Sequence, residues 1–279
     1  MVIVTHGSDL SLAPTLTPIV RHVGGTVRAG LERIAGRGFA TVQLDATLHG
    51  IRPRELDRQA RRELLGVVRR RNLRLGGVDL FIPRKHYLEA DHVDRAMSAT
   101  VAAIELAADL GRVPLSLTLP VRQLPVDLAS AIVEAADGHS VRVAVHAEDQ
   151  LDALQAWVEE VDLPALGAAI DPAALLARGH DPAQVAQRFG AHLTVARLSD
   201  VARGSVEEEA DDPTLSQGGG ESVRCTVGAG ELDLLAYRVA LDLAAQRAGP
   251  VVLDLRGLSE PMRAAEDARR AWDDAAVSF

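Results

Sequence analysis

Cysteine and lysine each occur once, as Cys225 and Lys85, and aromatic residues make up only 3% of the 279-residue chain. A lone cysteine excludes an intrachain disulfide and any cysteine-based zinc or cluster site. It also agrees with a reducing compartment. With so few aromatics, the core must be built from Leu, Val, Ile and Ala. No stretch approaches the ~20 apolar residues of a membrane span. The segment Met1–His6 lacks a basic region followed by an apolar run, so no secretory signal is expected and a cytoplasmic location is. Basic residues (30) are outnumbered by acidic ones (39), for a net charge of -9 and a pI near 5.5. A concentrated basic face, which phosphate-backbone binding needs, is missing. The densest basic run, Arg69–Arg71 beside Arg61 and Arg62, reads as the solvated end of a helix.

What is present is alternation. Short β-type runs occur at 40–45, 73–82, 113–119, 141–146, 166–170, 192–198 and 251–255. Helical patterns fall between them at 53–71, 91–110, 126–136, 148–160, 231–247 and 260–272, with a further stretch after Asp171 interrupted near Gly179–Pro182. Val2–Thr5 would supply an eighth strand, followed by a helix over Thr26–Gly36. Parallel strands need crossover connections, so eight such units predict an α/β fold, a single-domain (β/α)8 TIM barrel over 1–279. A doubly wound open sheet is the rival, but Gly24-Gly25 lacks the Gly-rich fingerprint that such a sheet carries in its first turn. One segment breaks the rhythm. Residues 201–230 hold an acidic run, Glu207 to Asp212, then Gly218–Gly220, and read as a long βα loop: a surface insertion or a lid over the mouth.

Chemistry in such a barrel collects at the C-terminal ends of the strands. Those ends carry Gln43 and Asp45; Asp79; Arg84, Lys85 and His86; His146 and Glu148; Asp171; Arg197 and Asp200; and Asp254 and Arg256. Buried charges of this density must pair with one another, hold a ligand or reach water. Asp171, just before Pro172, suits either a helix N-cap or a carboxylate aimed into the mouth. His146 suits a hydrogen-bonded rim histidine, a metal ligand or a general base. The direction of Asp254 depends on strand register. Lys85 and His86 follow Pro83, where they could anchor a substrate or exchange a proton.

Three stretches carry a resemblance: Ile104–Gly111, Leu166–Gly179 continued by His180-Asp181-Pro182, and Val227–Asp233. They resemble the xylose isomerase-like TIM-barrel family of sugar and sugar-phosphate isomerases and epimerases. The resemblance implies a divalent metal (Mn, Mg, Co or Zn) held by carboxylates and a histidine after strands five to eight, with acid/base chemistry on a carbohydrate. The matching positions here are His146 (or Glu148), Asp171, Arg197 and Asp254. By this mapping His146, Glu148, Asp171 and Asp254 are the catalytic set, with His146, Asp171 and Asp254 as metal ligands. Arg84, Lys85, His86, Arg197 and Arg256 would bind substrate. Arg197 departs from the pattern by standing where a histidine is implied, and a guanidinium cannot ligate a cation. The expectation is an ion-pair cluster of Arg197 with Asp171 and Asp254 in the metal's place. Two functions therefore stay open. One is an isomerase or epimerase, metal-assisted or not. The other is a metal-free or non-catalytic member that keeps the pocket for a small sugar-like ligand. The superfamily's abasic-DNA endonucleases need a denser His/Glu cluster than these strand ends supply. Neither nucleic acid nor membrane is an expected partner, whereas a homo-oligomer is compatible with the family.

Overall fold

The protein is described from a computed structural model over residues 16–203, 222–244 and 251–275. Eight parallel strands form one sheet: β1 (Leu16–Pro18), β2 (Thr41–Asp45), β3 (Arg74–Leu80), β4 (Leu115–Thr118), β5 (Val143–His146), β6 (Leu166–Ile170), β7 (Leu193–Leu198) and, after a two-stranded insertion, β10 (Val251–Leu253). Each pairs with its sequence neighbour, and β10 pairs with both β7 and β1. A parallel bridge from Ile19 to Gln43 joins β1 to β2 and closes the ring. The chain is a (β/α)8 barrel, as the alternation predicts. The eighth place is filled by Leu16–Pro18, and the Val2–Thr5 run proposed for it lies outside the described residues.

Helices α1 (Val27–Gly36), α2 (Arg58–Arg69), α3 (Ala90–Asp109), α4 (Val126–Gly138), α5 (Leu151–Val161), α6 (Pro172–Leu176), α7 (Pro182–Phe189), α8 (Leu234–Ala244) and α9 (Pro261–Asp274) accompany the strands. Helix α2 begins later than periodicity suggests, because a polar side chain caps it. The Asp57 carboxylate accepts the Ala60 N–H, so α2 starts at Arg58, and Pro53–Glu55 is a separate 3-10 turn. Thr26 and Asp181 cap α1 and α7 in the same way. Asp171 precedes α6 but makes no side-chain cap hydrogen bond, which leaves its carboxylate for other partners. Helix α5 starts at Leu151, and Glu148 therefore sits in the loop after β5.

Most barrel strands are buried on both faces, as parallel strands between helices and a filled interior must be. The interior is a small cluster of its own: Ile19, Ala144, Ala169, Val195 and Val252. Their strand neighbours Val143, Val145, Ala168, Ile170, Ala196, Leu198, Val251 and Leu253 belong to the large core beneath the helices. Strand side chains alternate with period two. The positions two residues on from Ala144, Ala169, Val195 and Val252 are His146, Asp171, Arg197 and Asp254. An apolar plug is thus followed, toward the mouth, by a polar layer.

The 201–230 loop is anchored at both ends. Strands β8 (Asp200–Arg203) and β9 (Ser222–Cys225) pair antiparallel, and the acidic 204–221 segment considered as a lid lies outside the described residues. The Asp200 carboxylate accepts N–H groups from Val201, Gly228, Gly230 and Leu232, fastening the return of the loop to the end of β7. A methyl group at Gly230 would stand 2.3 Å from both the Asp200 Oδ1 and the Val201 carbonyl oxygen. Gly230→Ala is therefore expected to destabilise the fold by about 1–3 kcal/mol, as overpacking against fixed backbone does. A thermal melt checks this, with a midpoint lower by roughly 2–4 °C per kcal/mol.

Candidate functional site

The polar layer is organised around Arg197, whose side chain is 1% exposed. Its Nη1 donates to Asp254 Oδ2 at 2.7 Å, its Nη2 to Asp79 Oδ1 at 3.0 Å and its Nε to His146 Nε2 at 3.2 Å. The Arg197 guanidinium carbon lies 5.3 Å from the Phe81 ring centroid, and the Tyr237 hydroxyl donates to the Arg197 carbonyl at 2.8 Å. Because His146 Nε2 accepts from Arg197, the imidazole proton sits on Nδ1, which donates to Glu148 Oε1 at 2.7 Å.

Asp171 is served by other cations. Its Oδ2 accepts Arg224 Nη2 at 2.7 Å and Arg256 Nη2 at 3.1 Å, while Oδ1 accepts the Ser199 hydroxyl at 2.5 Å. Arg256 also donates to Asp254, from Nη2 to Oδ2 at 2.7 Å and from Nε to Oδ1 at 3.0 Å. The expected cluster is therefore present in altered form. Arg197 pairs with Asp254 but takes Asp79 in place of Asp171. Arg224 and Arg256 hold Asp171, because the hairpin brings β9 over the end of β6.

Charge balance decides the titration of the three acids. Burial pushes the Asp254 carboxyl up, but Arg256, Arg224, His22 and Arg197 together outweigh it and hold it well below the usual carboxylate range. Asp171 is likewise pushed up by burial and brought below the usual range by Arg224, Arg256 and Arg197. Asp79 goes the other way. Burial raises it despite Arg197 and Gln43, and its Oδ2 has no hydrogen-bond partner among the described residues.

The residues present do not fit a divalent cation at the implied position. Two of the four implied places, Asp171 and Asp254, carry carboxylates, and both already pair with guanidinium groups, Asp171 through Oδ2 with its Oδ1 on the Ser199 hydroxyl. The third is a cation itself. The fourth is His146, which spends its one acceptor nitrogen on Arg197, or Glu148, whose Oε1 accepts from His146 Nδ1.

The remaining candidates lie apart. Arg84 Nη1 donates to Asp149 Oδ1 at 2.6 Å, with Nη2 3.5 Å from the His146 carbonyl oxygen. Lys85 is 70% exposed and 4.0 Å from Glu89. His86 packs its ring against His92, with centroids 4.6 Å apart, and these two with Glu89 place donor atoms within 4.8 Å of one another at the start of α3. None of these side chains hydrogen-bonds to the acids at the centre of the mouth.

A pocket of about 470 Å³ opens beside the ion-pair layer, lined by Arg21, His22, Asp45, Thr47, Arg52, Phe81 and Arg256. Of the substrate-binding residues named from sequence, Arg256 alone lines it. Sequence reasoning misses Arg21 and His22 because the β-type run at Val2–Thr5 lies fourteen residues before β1, so nothing marks them as strand-end residues. It misses Arg224 because no periodicity announces the hairpin. It marks Asp79 as a strand end but gives it no role. His22 Nδ1 accepts the Leu255 N–H at 3.1 Å, so Nε2 carries the proton. Burial lowers its pKa from 6.5 to about 4, outweighing the nearby Asp254 carboxylate.

The fold and this mouth define the class. A profile of the xylose isomerase-like TIM barrel family matches residues 31–275, and the chain belongs to that family. Solved structures of similar fold include a xylose isomerase domain protein from Planctomyces limnophilus (16% identity, 94% of this chain and 96% of that one, TM-score 0.72). Another is a D-allulose 3-epimerase from Methylomonas sp. (14%, 94% and 98%, 0.70). A third, a xylose isomerase-like TIM barrel protein from Mycobacterium smegmatis, is in complex with magnesium (14%, 95% and 97%, 0.68). At these identities the likeness is one of fold. No curated protein matches the sequence.

Two outcomes follow from the network. Arg197→Met leaves Asp79 and Asp254 buried beside an apolar side chain and is expected to cost about 3–5 kcal/mol in a denaturant titration. Adding Asp254→Asn should recover part of that loss, a coupling that a double-mutant cycle reads directly. His22 stays neutral in the fold down to about pH 4. Its folded pKa lies below its unfolded one, so its contribution is complete above pH 6.5 and declines as the pH falls toward 4. The linked loss is on the order of 3 kcal/mol. Nuclear magnetic resonance should show no imidazole titration for His22 between pH 5.5 and 8, and His22→Gln should flatten the stability slope over pH 4–6.5.

Proposed function

We propose that this chain binds a sugar-like small molecule at the C-terminal mouth of the barrel without a resident divalent metal there. The observation that carries this reading is Arg197, a permanently charged guanidinium at the implied metal-ligand position, with Asp254 and Asp79 on its two terminal nitrogens. A metal polarises substrate oxygens by exchanging ligands, whereas a fixed guanidinium supplies charge but keeps its partners. Asp171 and Asp254 are both spent on arginines, so neither is poised to take a proton from a substrate carbon. Binding is thus the role the mouth serves best, with the pocket beside Arg256 as the place for the ligand.

A second reading is favoured by one observation, the 2.7 Å contact between His146 Nδ1 and Glu148 Oε1. In this reading the chain is a metal-independent sugar isomerase or epimerase. Glu148 and His146 move the proton next to a carbonyl, and Arg256, 22% exposed, faces the developing oxyanion.

Metal content and solvent exchange separate the readings. Purified protein offered Mn²⁺, Mg²⁺, Co²⁺ and Zn²⁺ in turn is expected to keep no equivalent whose binding depends on Asp171 or Asp254. One equivalent lost in Asp171→Ala would overturn the metal-free mouth. D-Fructose, D-allulose and D-tagatose incubated in deuterated water are expected to take up no label. Uptake that disappears in Glu148→Gln would replace binding by catalysis.

A further inference from the structure

We propose that the pocket over β1, β2 and β10 is an anion subsite, and that the ligand of the mouth is a hydroxylated small molecule bearing a carboxylate or phosphate. The inference deepens the binding role proposed above and rests on it. Its volume, about 470 Å³, suits a molecule of monosaccharide size. Its charge does not suit a neutral one. Three guanidinium groups, Arg21, Arg52 and Arg256, line it with one carboxylate, Asp45, although Arg256 is also held from the buried side by Asp254 and Asp171.

The arginines are held in place by the protein before any ligand arrives. Asp45 Oδ1 accepts the Thr47 N–H at 2.7 Å and the Thr47 hydroxyl at 2.5 Å, fixing Thr47 at the end of β2. Arg21 Nη1 then donates to both the Thr47 hydroxyl and Asp45 Oδ2. Arg52 Nε donates to the Thr47 carbonyl at 2.9 Å. Two cationic side chains are therefore tethered to the same residue, a like-charge juxtaposition that a bound anion relieves. Asp45 is matched by Arg21. Among the described residues the acid paired with Arg52 is Glu55, at 3.3 Å in a pair that water screens. Arg256 presents its exposed edge from the other side, with its guanidinium carbon 5.4 Å from the Phe81 ring centroid. The Nε2–H of His22 adds a neutral donor. Planar guanidinium forks match the oxygens of carboxylate and phosphate alike. Arg256 lies in the loop after the eighth barrel strand, part of the phosphate position common in barrels, whereas Arg21 and Arg52 follow the first and second strands.

The test is calorimetry in phosphate-free, low-salt buffer with D-ribose, D-ribonate, D-ribose 5-phosphate and inorganic phosphate. At least one anionic probe is expected to bind about tenfold or more tighter than ribose, an advantage that shrinks with salt. Whether ribonate or ribose 5-phosphate binds tighter tells carboxylate from phosphate. Arg52→Gln and Arg21→Gln should each remove most of that advantage. Arg52 is 40% and Arg21 51% exposed, and a melting profile of each variant separates lost binding from lost folding. Equal affinity for ribose and its anionic counterparts overturns the anion subsite and leaves the sugar-binding mouth standing. Inorganic phosphate binding as tightly as ribose 5-phosphate, and lost in Arg52→Gln, supports the subsite while removing the sugar. Anion binding unchanged in both variants, or no binding of any probe, overturns the inference.

Discussion

A guanidinium buried in the mouth of a barrel has to have its charge met by the protein around it, and the arrangement of this mouth follows from that constraint. Arg197 cannot lose its proton, and water barely reaches it. Asp254, Asp79 and His146 are drawn onto its three donor-bearing nitrogens. Asp171 lies one strand away and takes Arg224 from the inserted hairpin and Arg256 from the loop after β10. Cations and acids alternate across the mouth, so that no single partner can leave without stranding another. Such a layer adds little net stability over an apolar one, because each charge gave up its hydration to enter. What it does provide is a fixed geometry in which the removal of any one group is costly.

The same layer sets the chemistry open to this member of the xylose isomerase-like family. A divalent ion and a guanidinium both bring positive charge to substrate oxygens, but only the ion exchanges ligands. In the metal-free mouth proposed above, the acids at the implied metal-ligand positions serve as structural counter-ions. The positive charge left for a ligand moves outward to Arg256 and, beyond it, to Arg21 and Arg52. Arg256 belongs to both the buried network and the open pocket, and it is the physical link between them.

Much of this was legible in the chain. The strand and helix alternation foretold the barrel, and the polar strand ends included most of the residues that meet at the mouth. Arg197 stood out on chemical grounds, since no arginine can take a ligand's place. Other features were out of reach. The partner of Asp171 comes from β9, a strand whose pairing depends on both ends of a long insertion meeting. Asp79 lies on β3, and its contact with Arg197 runs across the barrel between strands far apart in order. Lys85 and His86, plausible anchors by position, turn outward because the segment after β3 coils into a 3-10 turn.

The sequence by itself determined which residues share a strand face, though not which face turns inward, because these strands are buried on both sides. Side chains alternate along a strand, so His146, Asp171, Arg197 and Asp254 each follow an apolar residue by two positions. That is a local consequence of backbone geometry and needs no knowledge of the neighbours. Only the tertiary structure decided which cation meets which acid, and with it whether the mouth holds a metal position or an ion-pair layer. Those contacts span as many as 118 residues of chain. They depend on the closure of the ring and the placement of an inserted hairpin, neither of which is written in any local run of residues.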